Sequence, residues 1–231
     1  MDFAIIAAGE GSRLVNEGIV QPKPLVQLKG VPLIDRLIRI FLSNQATSIS
    51  VIINEEMTAV KEHLCNLHLP VPFHLVVKST PSSMHSFYEL SPYLESGRFC
   101  LATVDTIFKE EEFARYIQAF RSEEADGLMA VTGFIDDEKP LYVNTGSGLS
   151  IHSFIDEAEA GSRYISGGIY GLKSSALPVL ARAIEEKQFR MRNFQRRLVA
   201  EGLQLKAWPF DKIIDIDHAA DIKVAEDFLN L

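Results

Sequence analysis

Two glycines at 9 and 11, an arginine at 13 and a lysine at 23 set between Pro22 and Pro24 are residue types suited to handling phosphate. They fall in AAGEGSRLVNEGIVQPKPLV, residues 7 to 26, directly after an apolar segment. Glycines let backbone N–H groups approach an anion closely, and an arginine adds a planar fork matched to phosphate oxygens. A lysine adds a compact charge, and flanking prolines fix its direction of approach. Two familiar phosphate loops are excluded in detail. A dinucleotide fingerprint needs a third glycine where Leu14 stands and an acid at the end of the second strand, where Asn54 stands. The nucleoside-triphosphatase loop needs a G-K-[ST] ending that is missing. The plain alternative is a tight turn that uses its glycines for backbone freedom alone.

Handling phosphate also calls for carboxylates to hold a counter-ion, and they stand at the ends of apolar runs. FCLATVDTIF, residues 99 to 108, closes a strand-like run at Asp105. An acid there is too costly to leave unpaired in a core, and its alternative is a cap or turn. IIDIDHAADI, residues 213 to 222, alternates Asp215 and Asp217 with isoleucine, so an extended chain points both to one face. Mg2+ is the ion that suits an all-oxygen set shared with substrate phosphates, and no His/Cys spacing points to zinc.

Together AAGEGSRL and PKPLV resemble the G-x-G-x-R and P-K-P signature of the GT-A-like nucleotidyltransferase superfamily of sugar-phosphate and phosphocholine nucleotidyltransferases. The resemblance implies a Rossmann-like, mostly parallel sheet flanked by helices, with a small antiparallel excursion. It implies that Gly9, Gly11, Ser12 and Arg13 contact the phosphates of an incoming NTP, with Ala8 in the same site, and that Lys23 neutralises the oxygens of the α-phosphate. Arg13 and Lys23 are thereby the catalytic pair. Asp105 and either Asp215 or Asp217 match the metal-binding positions, with His218 where the family has threonine and Asp221 as a structural acid.

Two pockets follow from the same resemblance. KSTPSSMHSFYEL, residues 78 to 90, replaces a glycine-containing base-reading loop, so Ser79, Thr80 and Ser83 are expected at the base. Its serine-rich character tilts the nucleotide towards CTP. ISGGIYGL, residues 165 to 172, resembles the strand lining the acceptor pocket and brings in Gly168 and Tyr170; the alternatives are a β-bulge at the glycines and a core position for Tyr170. The lysine usual before that strand is missing, and Lys139 or Arg163 is expected to hold the acceptor phosphate instead.

The elements that must position these residues read as alternating strands and helices. Strands are expected at 3–8, 50–54, 73–77, 99–104 and 127–132, then at GGIYGL and QLKAW. Helices are expected at 31–43, 57–67, 87–94, 176–186, 193–201 and 218–231, with Leu33, Leu37, Ile40 and Phe41 forming the apolar face of the first. KPLYV and GLSIHSF around NTGSG predict a β-hairpin. The expectation is one domain over residues 1–231 with an acceptor-side excursion around 136–172.

Composition narrows the class. A chain of 231 residues, 47% of them hydrophobic, can bury one substantial α/β core. The net charge of −8 argues against nucleic acid or anionic membrane as partner. The basic run FRMRNFQRRL, residues 189 to 198, reads as a solvated helix face or a contact between copies in a homo-oligomer. No run of roughly eighteen apolar residues occurs, and no leader pattern precedes the first strand, so a cytoplasmic location is expected. Cys65 and Cys100 read as buried thiols in a reducing compartment. The reaction expected is Mg2+-dependent transfer of a nucleoside monophosphate from an NTP to a phosphorylated small acceptor. The alternatives are a GT-A glycosyltransferase, which lacks its D-x-D at VDTIF, and a non-catalytic nucleotide binder.

Overall fold

The computed structural model describes residues 1–94, 96–135 and 138–230. Strand β1 (Asp2–Ile6) leads through the single-turn helix α1 (Ser12–Asn16), the short antiparallel pair β2 (Gln27–Leu28) and β3 (Val31–Pro32), and helix α2 (Leu33–Ser43) to β4 (Ser48–Ile53). Then come α3 (Thr58–Cys65), β5 (Phe73–Val77), α4 (Ser83–Leu90) and β6 (Arg98–Thr103). These four strands lie parallel in the order β6-β1-β4-β5. Alternation along β1 sends Phe3 and Ile5 into one core and Ala4 and Ile6 into another, so helices must cover both faces. The first core takes α2 through Leu33, Leu37, Ile40 and Phe41, the face expected from sequence.

Beyond β6 the chain makes β7 (Thr106–Ile107), α5 (Glu110–Ser122), β8 (Gly127–Thr132), β9 (Tyr142–Thr145) and β10 (Ile151–Ile155). The last two form the expected hairpin; residues 136 and 137, at the start of the expected excursion, lie outside the described residues. Strand β11 (Tyr164–Lys173) runs antiparallel to β6, β8 and β9 and joins the parallel block to this second half. Helices α6 (Ala176–Glu185) and α7 (Met191–Ala200), strand β12 (Leu205–Phe210) parallel to β8, strand β13 (Ile214–Asp215) antiparallel to β7, and α8 (Ala219–Phe228) complete the order. The α/β architecture is the expected one, and its antiparallel part extends further than a single hairpin.

Two local features depart from the sequence reading. Helix α5 was not foreseen, although Phe113, Ile117 and Phe120 are buried at helical spacing and three glutamates fill its first turn. Cys65 is exposed at the end of α3, while Cys100 is buried as expected, its thiol pushed up in pKa by desolvation. The basic side chains of α7 are paired within the chain: Arg192 and Arg196 with Asp156, and Arg197 with Glu186 and Glu201. Among the described residues no helix is long and apolar enough to cross a membrane.

Candidate functional site

The carboxyl ends of β1, β4, β5 and β6 open onto a cavity of about 650 Å3. The chain leaves β1 towards β4 and β5 and returns on the other side to β6, so the cavity lies where the strand order reverses, the place where open α/β sheets bind ligands. One wall is the glycine loop, with Ala8, Gly9, Gly11, Ser12 and Arg13. A Cβ at Gly9 meets no protein atom within 4 Å. Gly11 is different: its φ of +62° lies in the left-handed region, and a Cβ there stands 3.2 Å from Lys23 Cβ. This glycine is what lets the loop lie against the lysine.

Lys23 opens a turn of 3-10 helix over Lys23–Leu25 that Pro22 enters with extended backbone. It is 8% exposed, and its ammonium donates to Asp217 Oδ1 at 2.8 Å and to Asp105 Oδ2. Burial opposes its charge, but the two carboxylates outweigh that and hold its pKa above the usual lysine value. Arg13 reaches across from the loop, with Nη1 donating to Asp217 Oδ2 at 2.9 Å and Nη2 to Glu138 Oε2 at 3.4 Å. Burial opposes ionisation of Asp217, yet Lys23 first and then Arg13 hold its carboxyl below the usual range.

Backbone pairing brings the acids together. Asp105 follows β6, and its carbonyl accepts from the N–H of Ile216 at 3.1 Å, beside the β7–β13 pair. The chain does not stay extended beyond Asp215. The N–H of Asp217 bonds back to the carbonyl of Asp215 at 3.1 Å, so the chain turns between the two aspartates. Asp217 joins Asp105 on Lys23 in the main cavity, whereas Asp215 lines only a smaller cavity of about 70 Å3 beside it. Asp215 is exposed, and desolvation together with the Asp105 charge pushes its pKa up to about 7. The three aspartates therefore do not converge as one ligand set, and among the described residues no three acids, histidines or cysteines are grouped to hold an ion. Asp105 and Asp217, converging on one cation from two sides, supply the all-oxygen pair that suits Mg2+ sharing its shell with phosphates. Asp221 accepts from the N–H groups of Asp217 at 2.9 Å and His218 at 2.6 Å, and His218 Nδ1 meets Glu17 at 2.6 Å; both are structural.

Ser79, Thr80 and Ser83 form the far wall with Ser86. Thr80 Oγ1 and Ser86 Oγ are 2.6 Å apart, Ser79 Oγ accepts from the N–H of Glu55 at 3.3 Å, and Ser82 Oγ is 2.9 Å from His85 Nδ1. Asn54, weighed in the sequence only for the acid it lacks, ties this wall to the loop by donating to the Ala8 carbonyl at 3.3 Å and accepting from the Glu56 N–H at 3.0 Å. A polar residue closing an apolar strand was the available signal.

The acceptor-side residues fare differently. Gly168 and Gly167 form a bulge where the β11–β8 register shifts between Ser166 and Tyr170. A Cβ at Gly168, φ +72°, stands 2.8 Å from Thr106 Oγ1 and 3.1 Å from Thr103 Oγ1, so its missing side chain accommodates the protein's own threonines. Tyr170 is buried in the second core and lines neither cavity, with its phenol pushed up in pKa by desolvation. Arg163 and Lys139 are exposed and line neither cavity. Phe134, Glu138, Asp215 and His218 instead form the smaller cavity, which meets the main one at Arg13 and Asp217. Glu138, next to Lys139 in sequence, is one that sequence reasoning missed.

Comparison with known proteins adds a family and a fold. The chain matches the MobA-like NTP transferase domain over residues 3–199. It is 28% identical over 111 residues to the 2-aminoethylphosphonate cytidylyltransferase of Lancefieldella rimae, a match covering 46% of this chain and 44% of that protein. The chain thus spans under half the length of that curated relative. The inositol-1-phosphate CTP transferase from T. maritima aligns with a TM-score of 0.83 at 21% identity, over 97% of this chain and 93% of its own. HddC from Yersinia pseudotuberculosis aligns with a TM-score of 0.75 at 19% identity, over 98% and 99%. At such identities these two structures speak to the fold.

Proposed function

The chain belongs to the MobA-like NTP transferase domain family, and on that premise we propose that it transfers a nucleoside monophosphate from CTP to a small acceptor bearing a phosphate or phosphonate, with release of pyrophosphate. The observation that carries this reading is the buried Lys23 held by Asp105 and Asp217 at the mouth of the glycine loop. The acceptor oxyanion attacks the α-phosphorus, a new P–O–P linkage forms, and the bond from the α-phosphorus to the bridging oxygen breaks. A phosphate monoester has a second pKa of about 6, so the nucleophile is already ionised at neutral pH and no general base is required. Positioning and charge neutralisation are the remaining tasks.

Backbone N–H groups from Gly9 to Arg13, with the Arg13 guanidinium, orient and hold the leaving pyrophosphate. Lys23 faces the α-phosphate oxygens, and Ser79, Thr80 and Ser83 meet the base. Asp105 and Asp217 would hold Mg2+, which would supply further neutralisation of phosphate charge. The acceptor enters from the smaller cavity, where Glu138 and Asp215 suit one that also carries an ammonium group, the chemistry named for the cytidylyltransferase relative. The test is pyrophosphate release with each of CTP, UTP, ATP and GTP against 2-aminoethylphosphonate, phosphocholine, phosphoethanolamine and sugar 1-phosphates. Acceptor-dependent release with CTP is expected. Release with no pair contradicts the reading and leaves a nucleotide binder.

A further inference from the structure

A second large cavity, of about 540 Å3, shares no lining residue with the nucleotide cleft. It opens between the β2–β3 turn, α2 and the start of α5, and Lys29, Arg36, Arg39 and Lys109 line it together with Glu110 and Glu111. We propose that this cavity is a separate binding site for an organic phosphate monoester.

Arg36 carries the argument. It is 5% exposed, and its Nη2 donates to the Phe108 carbonyl at 2.6 Å while the guanidinium sits 5.3 Å above the Phe108 ring. No carboxylate forms an ion pair with it among the described residues, and desolvation pulls its pKa down to about 10 against the opposing charge of Glu110. Its Nε and Nη1 have no hydrogen-bond partner among the described residues, and the residue lines the cavity. A guanidinium this buried is costly to leave without a directly paired counter-charge, and its planar fork fits two phosphate oxygens.

Its neighbours extend the same chemistry. The backbone N–H of Lys29 bonds Glu226 at 2.8 Å, while its ammonium has no ion-pair partner among the described residues. Lys109 Nζ lies 5.4 Å from the centre of the Phe228 ring, also without a carboxylate. Arg39 is the one already paired, with Glu110 at 2.6 Å. Four cations against two carboxylates leave two positive charges facing the cavity, the complement of a dianionic monoester. Leu28, Val31 and Leu229 supply apolar wall for its organic part, and the volume is that of a small-molecule pocket.

Site-resolved amide NMR on the full chain tests this, with ribose 5-phosphate and inorganic phosphate as separate probes. Saturable shifts are expected at residues 28–31, 36–39 and 108–111, and Lys29→Gln/Lys109→Gln should lose them while the rest of the spectrum keeps its dispersion. Tighter binding of ribose 5-phosphate than of inorganic phosphate is expected, and tighter binding of inorganic phosphate overturns the organic monoester in favour of the free ion. Shifts confined to residues 9–13, or shifts around the second cavity that persist in the double variant, overturn the proposal. Shifts at residues 9–13 report the nucleotide cleft separately, so this result stands or falls apart from nucleotidyl transfer.

Discussion

Lys23 is placed by constraints that act on single residues. Prolines on either side hold its turn, Gly11 gives it room, and two aspartates keep it charged. Replacing it with methionine keeps the stem and removes the charge. Lys23→Met is expected to lower kcat for pyrophosphate release by about 100- to 1,000-fold, the usual scale for losing one preorganised electrostatic group, with cooperative urea unfolding retained. Unchanged turnover would remove Lys23 from the mechanism. The aspartates divide in the same way: Asp105→Asn and Asp217→Asn should raise the Mg2+ concentration needed for half-maximal rate, and Asp215→Asn should not. Sequence reached Lys23 and Arg13 because glycine, arginine and clamped lysine make a combined pattern, but it left Asp215 and Asp217 equivalent. Alternation alone places both on one face, and the turn of the Asp217 N–H back onto the Asp215 carbonyl that separates them has no residue signature.

Strands and loops decide what those residues meet. The bulge in β11 was legible as paired glycines, but whether they faced a ligand or the protein depended on Thr103 and Thr106, which are far away in sequence. Gly168→Ala must hold a Cβ at positive φ against Thr106, so it should destabilise the fold by about 1–3 kcal/mol in urea titration. A smaller loss would mean that β11 relaxes around the new methyl group. At the end of α5, Glu123 accepts from the Ala125 N–H at 3.0 Å and pairs with Lys206 of β12 at 3.0 Å. The Ala125 bond first, and then Lys206, hold its pKa below the usual 4.5. A depressed folded pKa means that the unfolded chain binds more protons, so this stabilisation is present above about pH 4.5 and lost as pH falls through the lower folded value. Glu123→Gln should therefore melt below wild type at pH 7, with the gap narrowing towards pH 3. Helix α5, which Glu123 follows, has a sequence signal in the helical spacing of Phe113, Ile117 and Phe120 within EEEFARYIQAFRS.

Across the whole molecule, the sheet sets the site and two cores hold the sheet. Apolar runs in the first half announced parallel strands, and their carboxyl ends are where the phosphate loop, the serine wall and Asp105 meet. The smaller cavity was poorly legible, because Phe134 and Glu138, between β8 and β9, and Asp215 of β13 come from two segments far apart in sequence and joined only by long-range pairing through β11 and β13. The one-domain reading predicts a single calorimetric transition, since β11 pairs with strands of both halves; two resolved transitions would divide the chain. The claim that joins these scales is nucleotidyl transfer. Its most direct measurement is a single-turnover reaction with CTP labelled at the α-phosphorus, Mg2+ and 2-aminoethylphosphonate or phosphocholine. The label is expected to pass into a CMP-linked acceptor with one equivalent of unlabelled pyrophosphate released. Label that stays in CTP, or that appears only as free CMP, would contradict it.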